Sequence, residues 1–377
     1  MAKLEREKHC FVSKQFDTKQ IMRCNRTIRK YAPRPMSIAI HLENHARPIE
    51  ASAGDLILDA LILAGVAMPY SCQQGNCGTC KCELVSGEIM ELDYSEYALS
   101  PEERAKNLIL ACRTQAWGDV TVRKLDDEEL MMHPERFMRC KVAALEDLTH
   151  DIKRVVLQIE SGGPFSFTAG QYAKTEFVPL SSRDYSMANV PGQGDPNRIE
   201  FHIRAVEGGG VSQFVHSKLA VGQTVRVSGP HGASYLRENH QGAMLAIAGG
   251  SGLAPIESIV GRALAAGSTQ PIHLYFGVRG LRDVYHEDLF KTWAARHANF
   301  RYTIVLSNQQ AEGYAHGFVT DAAARELNDV AGLKAYLAGP PVMVEAATRL
   351  LREKGVADRD IHADAFYTEA DRQTNIV

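Results

Sequence analysis

The chain has 377 residues, 45% hydrophobic and 23% charged, which is the composition of a globular protein with apolar surface for more than one core and excludes fibrous or disordered classes. No run approaches the ~18 apolar residues of a membrane span, and no apolar secretory core lies near the start, so neither a membrane nor an exported context is expected and a cytoplasmic one is. The net charge of −3 conceals an asymmetry: residues 1–35 hold ten Lys or Arg against three acids, leaving 36–377 near −10, so nucleic acid is not expected as a partner of the folded part.

In chain order, residues 1–35 show no steady apolar period and are expected to form a basic, disordered leader. From Met36, MSIAIHLE alternates as a strand, GDLILDALILAGV carries helical spacing and DVTVRKL closes as a strand, outlining a small unit over 36–126. Inside it runs CQQGNCGTC. Cys72, Cys77 and Cys80 stand in C-x4-C-x2-C spacing, and Cys112 follows NLILA. Zinc usually takes two separated C-x2-C pairs, whereas this pattern is the plant-type [2Fe–2S] spacing. Plain packing and zinc are the competing readings. Gly75 and Gly78 permit the tight loop geometry that wrapping an iron requires. Cys82, on the expected strand KCELVSGEI, is read as packing, and Cys10, Cys24 and Cys140 as bystanders. The charged, proline-containing DDEELMMHPERF suits a linker over 127–136.

Over 137–238 short strands alternate with Gly and Pro turns: RCKVAALEDL, DIKRVVLQIE, AGQYAKTEFV, DYSMANV, RIEFHIRAV and GQTVRVSGP. Six such strands predict a small antiparallel barrel. VSQFVHSKLA, 211–220, is the helix within it. RDYSM sets a cation, a ring and a hydroxyl on one strand, so that Arg183, Tyr185 and Ser186 suit a phosphate, a flat ring and a hydrogen-bonding edge. GGGVS opens the helix, where free amides suit a pyrophosphate.

Over 239–377 strands and helices alternate from AMLAIAGG to PVMVEAATRLLREKG, predicting a doubly wound parallel sheet with ligands beyond its carboxyl edge. Three strand ends carry glycine there: Gly249-Gly250-Ser251-Gly252, Gly277 and Gly339-Pro340-Pro341. The first is not a G-x-G-x-x-G fingerprint.

The fixed order of PYSCQQGNCGTCKC, RDYSM, EFHIR, SGPHGASYLR, GGSGLAP, LYFGVR and HADAFY resembles the ferredoxin-NADP reductase superfamily over residues 36–368, and within it the iron–sulfur flavoprotein reductases that serve aromatic-ring dioxygenases. The resemblance implies a multidomain α+β and α/β fold: a plant-type β-grasp ferredoxin, an antiparallel flavin-binding β-barrel and a doubly wound nucleotide domain. Cys72, Cys77, Cys80 and Cys112 would ligate the [2Fe–2S] cluster. For FAD, Arg183 would pair with the phosphate, while Tyr185, Ser186 and Met187 would lie at the isoalloxazine, Ser186 near the nitrogen that accepts hydride. His202, Ile203 and Arg204 would line the flavin, and Gly210, Val211 and Ser212 its pyrophosphate. Phe366 would shield the flavin face. Gly250, Ser251, Gly252, Gly277, Arg279, Gly339 and Pro340 would hold NADH. Ser251 stands where the family often has Thr, Ala338 where it often has Cys beside the nicotinamide, and nine residues follow Thr368.

A nicotinamide delivers two electrons as hydride, a plant-type cluster takes one, and a flavin converts between them. The expected function is therefore electron transfer from NADH through FAD and the cluster to a Rieske-type ferredoxin or a terminal dioxygenase component. The alternatives are the reductase of a di-iron monooxygenase and a simple ferredoxin-type carrier. No general acid or base is expected. After FRYTIVLS the residues Asn308, Gln309, Gln310, Ala311 and Glu312 offer no cation to a 2′-phosphate, so NADH is expected over NADPH, with Arg279 and Arg282, beside Asp283, as the cations that could swing toward the ribose instead.

Overall fold

The computed structural model describes residues 36–125, 131 and 133–368; the expected leader, half of the linker and the last nine residues lie outside the described residues. The first unit contains β1 (Ser37–Leu42), β2 (Ile49–Ser52), α1 (Ile57–Leu63), β3 (Lys81–Ser86), β4 (Ile89–Glu91), α2 (Pro101–Arg104), β5 (Leu108–Leu110), β6 (Thr114–Ala116) and β7 (Val120–Lys124). Its main sheet runs β2-β1-β7-β3-β5, with β1 and β7 parallel. Ile57, Leu58 and Leu61 of α1 are fully buried against Ile40 and Val122 of this sheet, as the helical apolar spacing requires. KCELVSGEI does not form one strand. It breaks at Gly87 (φ +119) into β3 and β4, and β4 pairs with β6 instead.

The barrel is built from β8 (Arg136–Asp147), β9 (Ile152–Ser161), β10 (Tyr172–Glu176), β11 (Arg183–Ser186), β12 (Arg198–Arg204), α3 (Gly210–Ser217) and β13 (Thr224–His231). The order is β11-β10-β13-β8-β9-β12, and a bridge between Met187 and Phe201 brings the two edges together. Strand alternation settles which side chains fill it. Ile199, Phe201 and Ile203 of β12 join the barrel core, while Glu200, His202 and Arg204 face outward.

The third unit has β14 (Met244–Gly249), α4 (Leu253–Ala265), β15 (Ile272–Val278), α5 (Glu287–Arg296), β16 (Phe300–Leu306), β17 (Ala315–His316), α6 (Val319–Glu326), β18 (Lys334–Gly339), α7 (Pro341–Glu353) and β19 (Ile361–Ala365). The sheet is parallel in the order β17-β16-β15-β14-β18-β19. All six residues of β14 are buried, as expected of a strand covered on both faces. The chain turns from one side of β14 to the other between β15 and β18, which creates the switch-point crevice of doubly wound sheets. Sequence periodicity missed β17 and β19, since HADA offers no apolar run.

Gly252, at the turn into α4, is packed so closely that an added Cβ would lie 2.2 Å from the Ala338 carbonyl oxygen on the neighbouring strand. Gly252→Ala is expected to destabilise the protein by roughly 1–3 kcal/mol through overpacking, measured as a lower denaturation midpoint at unchanged m-value.

Candidate functional site

The cysteine loop lies between α1 and β3, and Cys112 reaches it from a short 3₁₀ turn that the Ala111 amide anchors on the Cys80 carbonyl at 3.1 Å. All four thiols are free. Cys72 hydrogen-bonds Cys77 and Cys80 hydrogen-bonds Cys112, so one sulfur of each pair holds a proton for the other. The bond from Cys72 holds the Cys77 thiol down to about 6. Backbone amides converge on the sulfurs: those of Gln74 and Asn76 lie 3.4 Å from Cys72 Sγ, and the Gly75 amide reaches Cys112. Gly75 has φ +78 and an added Cβ would meet Tyr94 and Arg113 side-chain atoms at 2.8 Å, so the tight wrap depends on glycine. Four converging uncrosslinked thiols with amides aimed at them fit a [2Fe–2S] cluster held by these residues. Cys82 and Cys140 are fully buried packing residues, and Cys10 and Cys24 lie outside the described residues.

β11 carries Arg183, Tyr185 and Ser186. The Arg183 guanidinium donates to Ser181 Oγ and the Ser182 carbonyl, both at 2.9 Å, and the Tyr185 ring leans on Phe177 and Phe201. At α3 the first-turn amides have no intrahelical acceptors. Gly210 there is exposed, with nothing within 4 Å of where a Cβ would stand. Ser212 Oγ closes the preceding loop by accepting from the Val206 amide at 3.1 Å. An open, cationic strand end and an amide-rich helix start fit a flavin dinucleotide.

Several expected flavin contacts sit differently. Met187, Ile203 and Val211 are buried in the barrel core, so their side chains are committed to packing and main-chain groups remain to meet a flavin. His202 turns its ring away from that core, toward Tyr285 and His286 at 5.5 and 5.3 Å. Arg204 donates to Asp151 Oδ2 at 3.0 Å, and Arg279 donates to the same oxygen at 3.0 Å and to Asp283 at 3.2 Å. Burial works to raise the Asp151 pKa, but Arg204, Thr149 and His150 together hold it below the ordinary value.

These ion pairs rim a cleft at the carboxyl edge of the parallel sheet, lined by Gly250, Gly277, Arg279, Phe318 and Pro340 among others. Gly252 and Gly339 lie beneath it, where the main chain of one strand end packs on that of the next, and Ser251 shares their turn. Glycine at these strand ends leaves the backbone open to a dinucleotide.

Sequence reasoning missed the group that joins the sites. Ser186 Oγ donates to Asp364 Oδ2 at 2.9 Å across 178 residues of chain, and β19, which carries Asp364, lacks any apolar pattern. Tyr172 OH donates to the Ser71 carbonyl at 3.0 Å and Tyr367 OH to the Asn76 carbonyl at 3.1 Å. These two hydroxyls bring the barrel and the chain's C-terminal segment onto the cysteine loop. Enclosure by protein pushes the Asp364 carboxyl up to about 7, with Cys77 and Asp184 adding to the rise and Ser186 opposing it. A carboxyl whose folded pKa is raised contributes stability that is present below its unfolded value near 4 and lost as pH rises toward 7. Asp364→Asn is expected to flatten the fall in stability between about pH 4 and 7, read from denaturant melts across that range.

Matches to three family models follow this architecture: the 2Fe-2S iron-sulfur cluster binding domain over residues 40–116, the oxidoreductase FAD-binding domain over 139–235 and the oxidoreductase NAD-binding domain over 246–349. The chain is 42% identical over 320 residues to the ferredoxin–NAD(P)(+) reductase component of the naphthalene 1,2-dioxygenase/salicylate 5-hydroxylase systems of a Ralstonia species, covering 85% of this chain and 95% of that one. It is 37% identical to the reductase component of phenol 2-monooxygenase from a Pseudomonas species, over 89% of this chain and 96% of that one. Among solved structures, the Amycolatopsis cytochrome P450 reductase GcoB superposes with a TM-score of 0.72 at 35% identity, covering 87% of this chain and 98% of that one. Four thiols brought together around one loop, a flavin-type barrel and a parallel-sheet cleft, joined in this order, thus have counterparts along nearly the whole of these relatives: the chain belongs to the iron–sulfur flavoprotein reductases of the ferredoxin-NADP reductase superfamily, which carry electrons from NADH through FAD and a [2Fe–2S] centre.

Proposed function

We propose that this chain is the NADH-dependent reductase of an aromatic-ring dioxygenase system, acting in the cytoplasm and delivering electrons to a Rieske-type ferredoxin or to the terminal oxygenase. The observation that carries the reading is the meeting of the Ser186–Asp364 pair with the cysteine loop held by Tyr172 and Tyr367. Bound there, the cofactors supply the conversion of one hydride into two single electrons. The chain's own residues do the rest. Arg183 and the α3 amides bind, Tyr185 packs, Ser186 orients the reacting edge, Phe366 covers it, and Gly250, Gly277 and Arg279 receive the dinucleotide. The cluster unit is assigned to 36–126, the flavin barrel to 137–238 and the nucleotide unit to 239–377.

A second reading, the reductase of a di-iron monooxygenase, is favoured by the similarity to the phenol 2-monooxygenase component. Reconstitution with a Rieske ferredoxin and oxygenase, set against a di-iron hydroxylase, decides between them: turnover only with the hydroxylase overturns the dioxygenase assignment.

Cys77→Ser is expected to abolish reduction of cluster-dependent one-electron acceptors while NADH-driven flavin bleaching persists; loss of both in a folded protein would refute this division of labour. Nucleotide choice follows from the loop after β16. Gln309 is pinned by accepting from the Leu281 amide at 2.9 Å, and Arg279 is held by Asp151 and Asp283. The loop itself therefore offers a 2′-phosphate none of the charge-assisted partners worth roughly 1.5–3 kcal/mol each, and Arg282 beside Asp283 is the cation to replace if NADPH is accepted. The expected kcat/KM is at least about tenfold higher for NADH than for NADPH, and equal values would overturn this.

A further inference from the structure

Phe366 and Tyr367 are consecutive, yet they face different sites. The Phe366 amide hangs on the Gly339 carbonyl at 2.9 Å, beneath the nucleotide cleft. The Tyr367 hydroxyl instead reaches the Asn76 carbonyl in the cysteine loop at 3.1 Å. Asn76 is well buried, its amide points at Cys72 Sγ, and its carbonyl belongs to the peptide that presents Cys77. The same hydroxyl lies 3.3 Å from Glu345 Oε1 on α7. A phenol has one proton to give, so Asn76 and Glu345 compete for it, and a small rotation of the ring transfers the bond from the loop to the helix.

We infer that Tyr367 is a positioning residue that links the nicotinamide site to the cluster loop, through adjacency to Phe366 on one side and its hydrogen bond to Asn76 on the other. This rests on the reading of Phe366 as the ring that covers the flavin face, which a nicotinamide must displace to reach that face. When Phe366 moves, the backbone hung from Gly339 carries Tyr367 with it. The hydroxyl then passes to Glu345, and the peptide between Asn76 and Cys77 is released. The loop so loosened is the one whose amides point at the sulfurs, and hydrogen bonds to cluster sulfurs are a recognised control on such centres. Nucleotide occupancy is thereby felt at the cluster without any direct contact. The Tyr172 bond to Ser71 does not share this response, because it comes from the barrel and holds the other end of the loop.

The test uses the full-length holoenzyme with NAD⁺ as probe and two readouts: hydrogen exchange of residues 71–80, and the electron paramagnetic resonance spectrum of the dithionite-reduced cluster. In the unmodified protein, saturating NAD⁺ is expected to speed exchange of the loop and to shift the spectrum. Tyr367→Phe keeps the ring and removes the proton. Its loop is expected to exchange about fivefold faster without nucleotide, as loss of one neutral hydrogen bond implies, and NAD⁺ should add nothing further. Glu345→Ala removes the competing acceptor, so its loop should stay protected when NAD⁺ binds. Loop exchange and spectrum in Tyr367→Phe identical to those of the unmodified protein would overturn the inference. Phe366→Ala separates this from the reading beneath it. Tighter NAD⁺ binding in that variant, together with the loop response in the unmodified protein, supports both. Tighter binding with no loop response overturns the link alone. Unchanged binding overturns the role of Phe366, and the link with it.

Discussion

Two backbone carbonyls of the cysteine loop, at Ser71 and Asn76, each accept a tyrosine hydroxyl from a distant part of the chain. The arrangement of the three units depends on this pair of bonds. A loop that wraps a cluster directs its amides inward at sulfur, and so its carbonyls face outward and need donors. Tyr172 from the barrel and Tyr367 from the C-terminal segment supply them, and Tyr97 adds a third tie by donating to Thr348 on α7 at 2.8 Å. The requirement that buried polar groups be satisfied thus also orients the electron-carrying loop toward the site of Ser186 and Asp364.

The other seam, between barrel and nucleotide unit, is held by charge. Asp151 at the β8–β9 turn takes both Arg204 from its own unit and Arg279 from the other, and Asp283 takes Arg279 as well. Such pairs are partly exposed, so each is worth little for stability. Their effect is on geometry: two guanidinium groups stay fixed at the mouth of the cleft, where an anionic dinucleotide enters, and their charge is screened until it arrives. Hydroxyl-to-carbonyl bonds therefore fix the cluster side, and adjustable ion pairs border the nucleotide side.

Local pattern carried much of this into the sequence. The C-x4-C-x2-C spacing, the alternation of β8 to β13 and the buried run of β14 depend on neighbours within a few residues, and each element appeared where periodicity placed it. KCELVSGEI failed because Gly87 adopts a φ that breaks the strand. β19 failed because HADA is polar and short, held by parallel pairing to β18 rather than by an apolar stripe. Among site residues, Arg183, Tyr185 and Ser186 stand together on β11, whereas the side chains of Met187, Ile203 and Val211 pack into the barrel core and leave their main-chain groups for a flavin, a facing that only the closed barrel decides.

Asp364 shows what sequence reading could not reach. Read in one dimension, nothing called for acid–base chemistry, and a carboxylate in HADAFY had no marked partner. In the folded chain it lies against Ser186, with its carboxyl brought near pH 7 chiefly by enclosure. Ser186 donates its hydroxyl proton to this carboxyl, which fixes the Asp364 side chain at the seam between the barrel and the nucleotide unit. The same enclosure that brings the units together thus gives Asp364 its altered affinity for a proton.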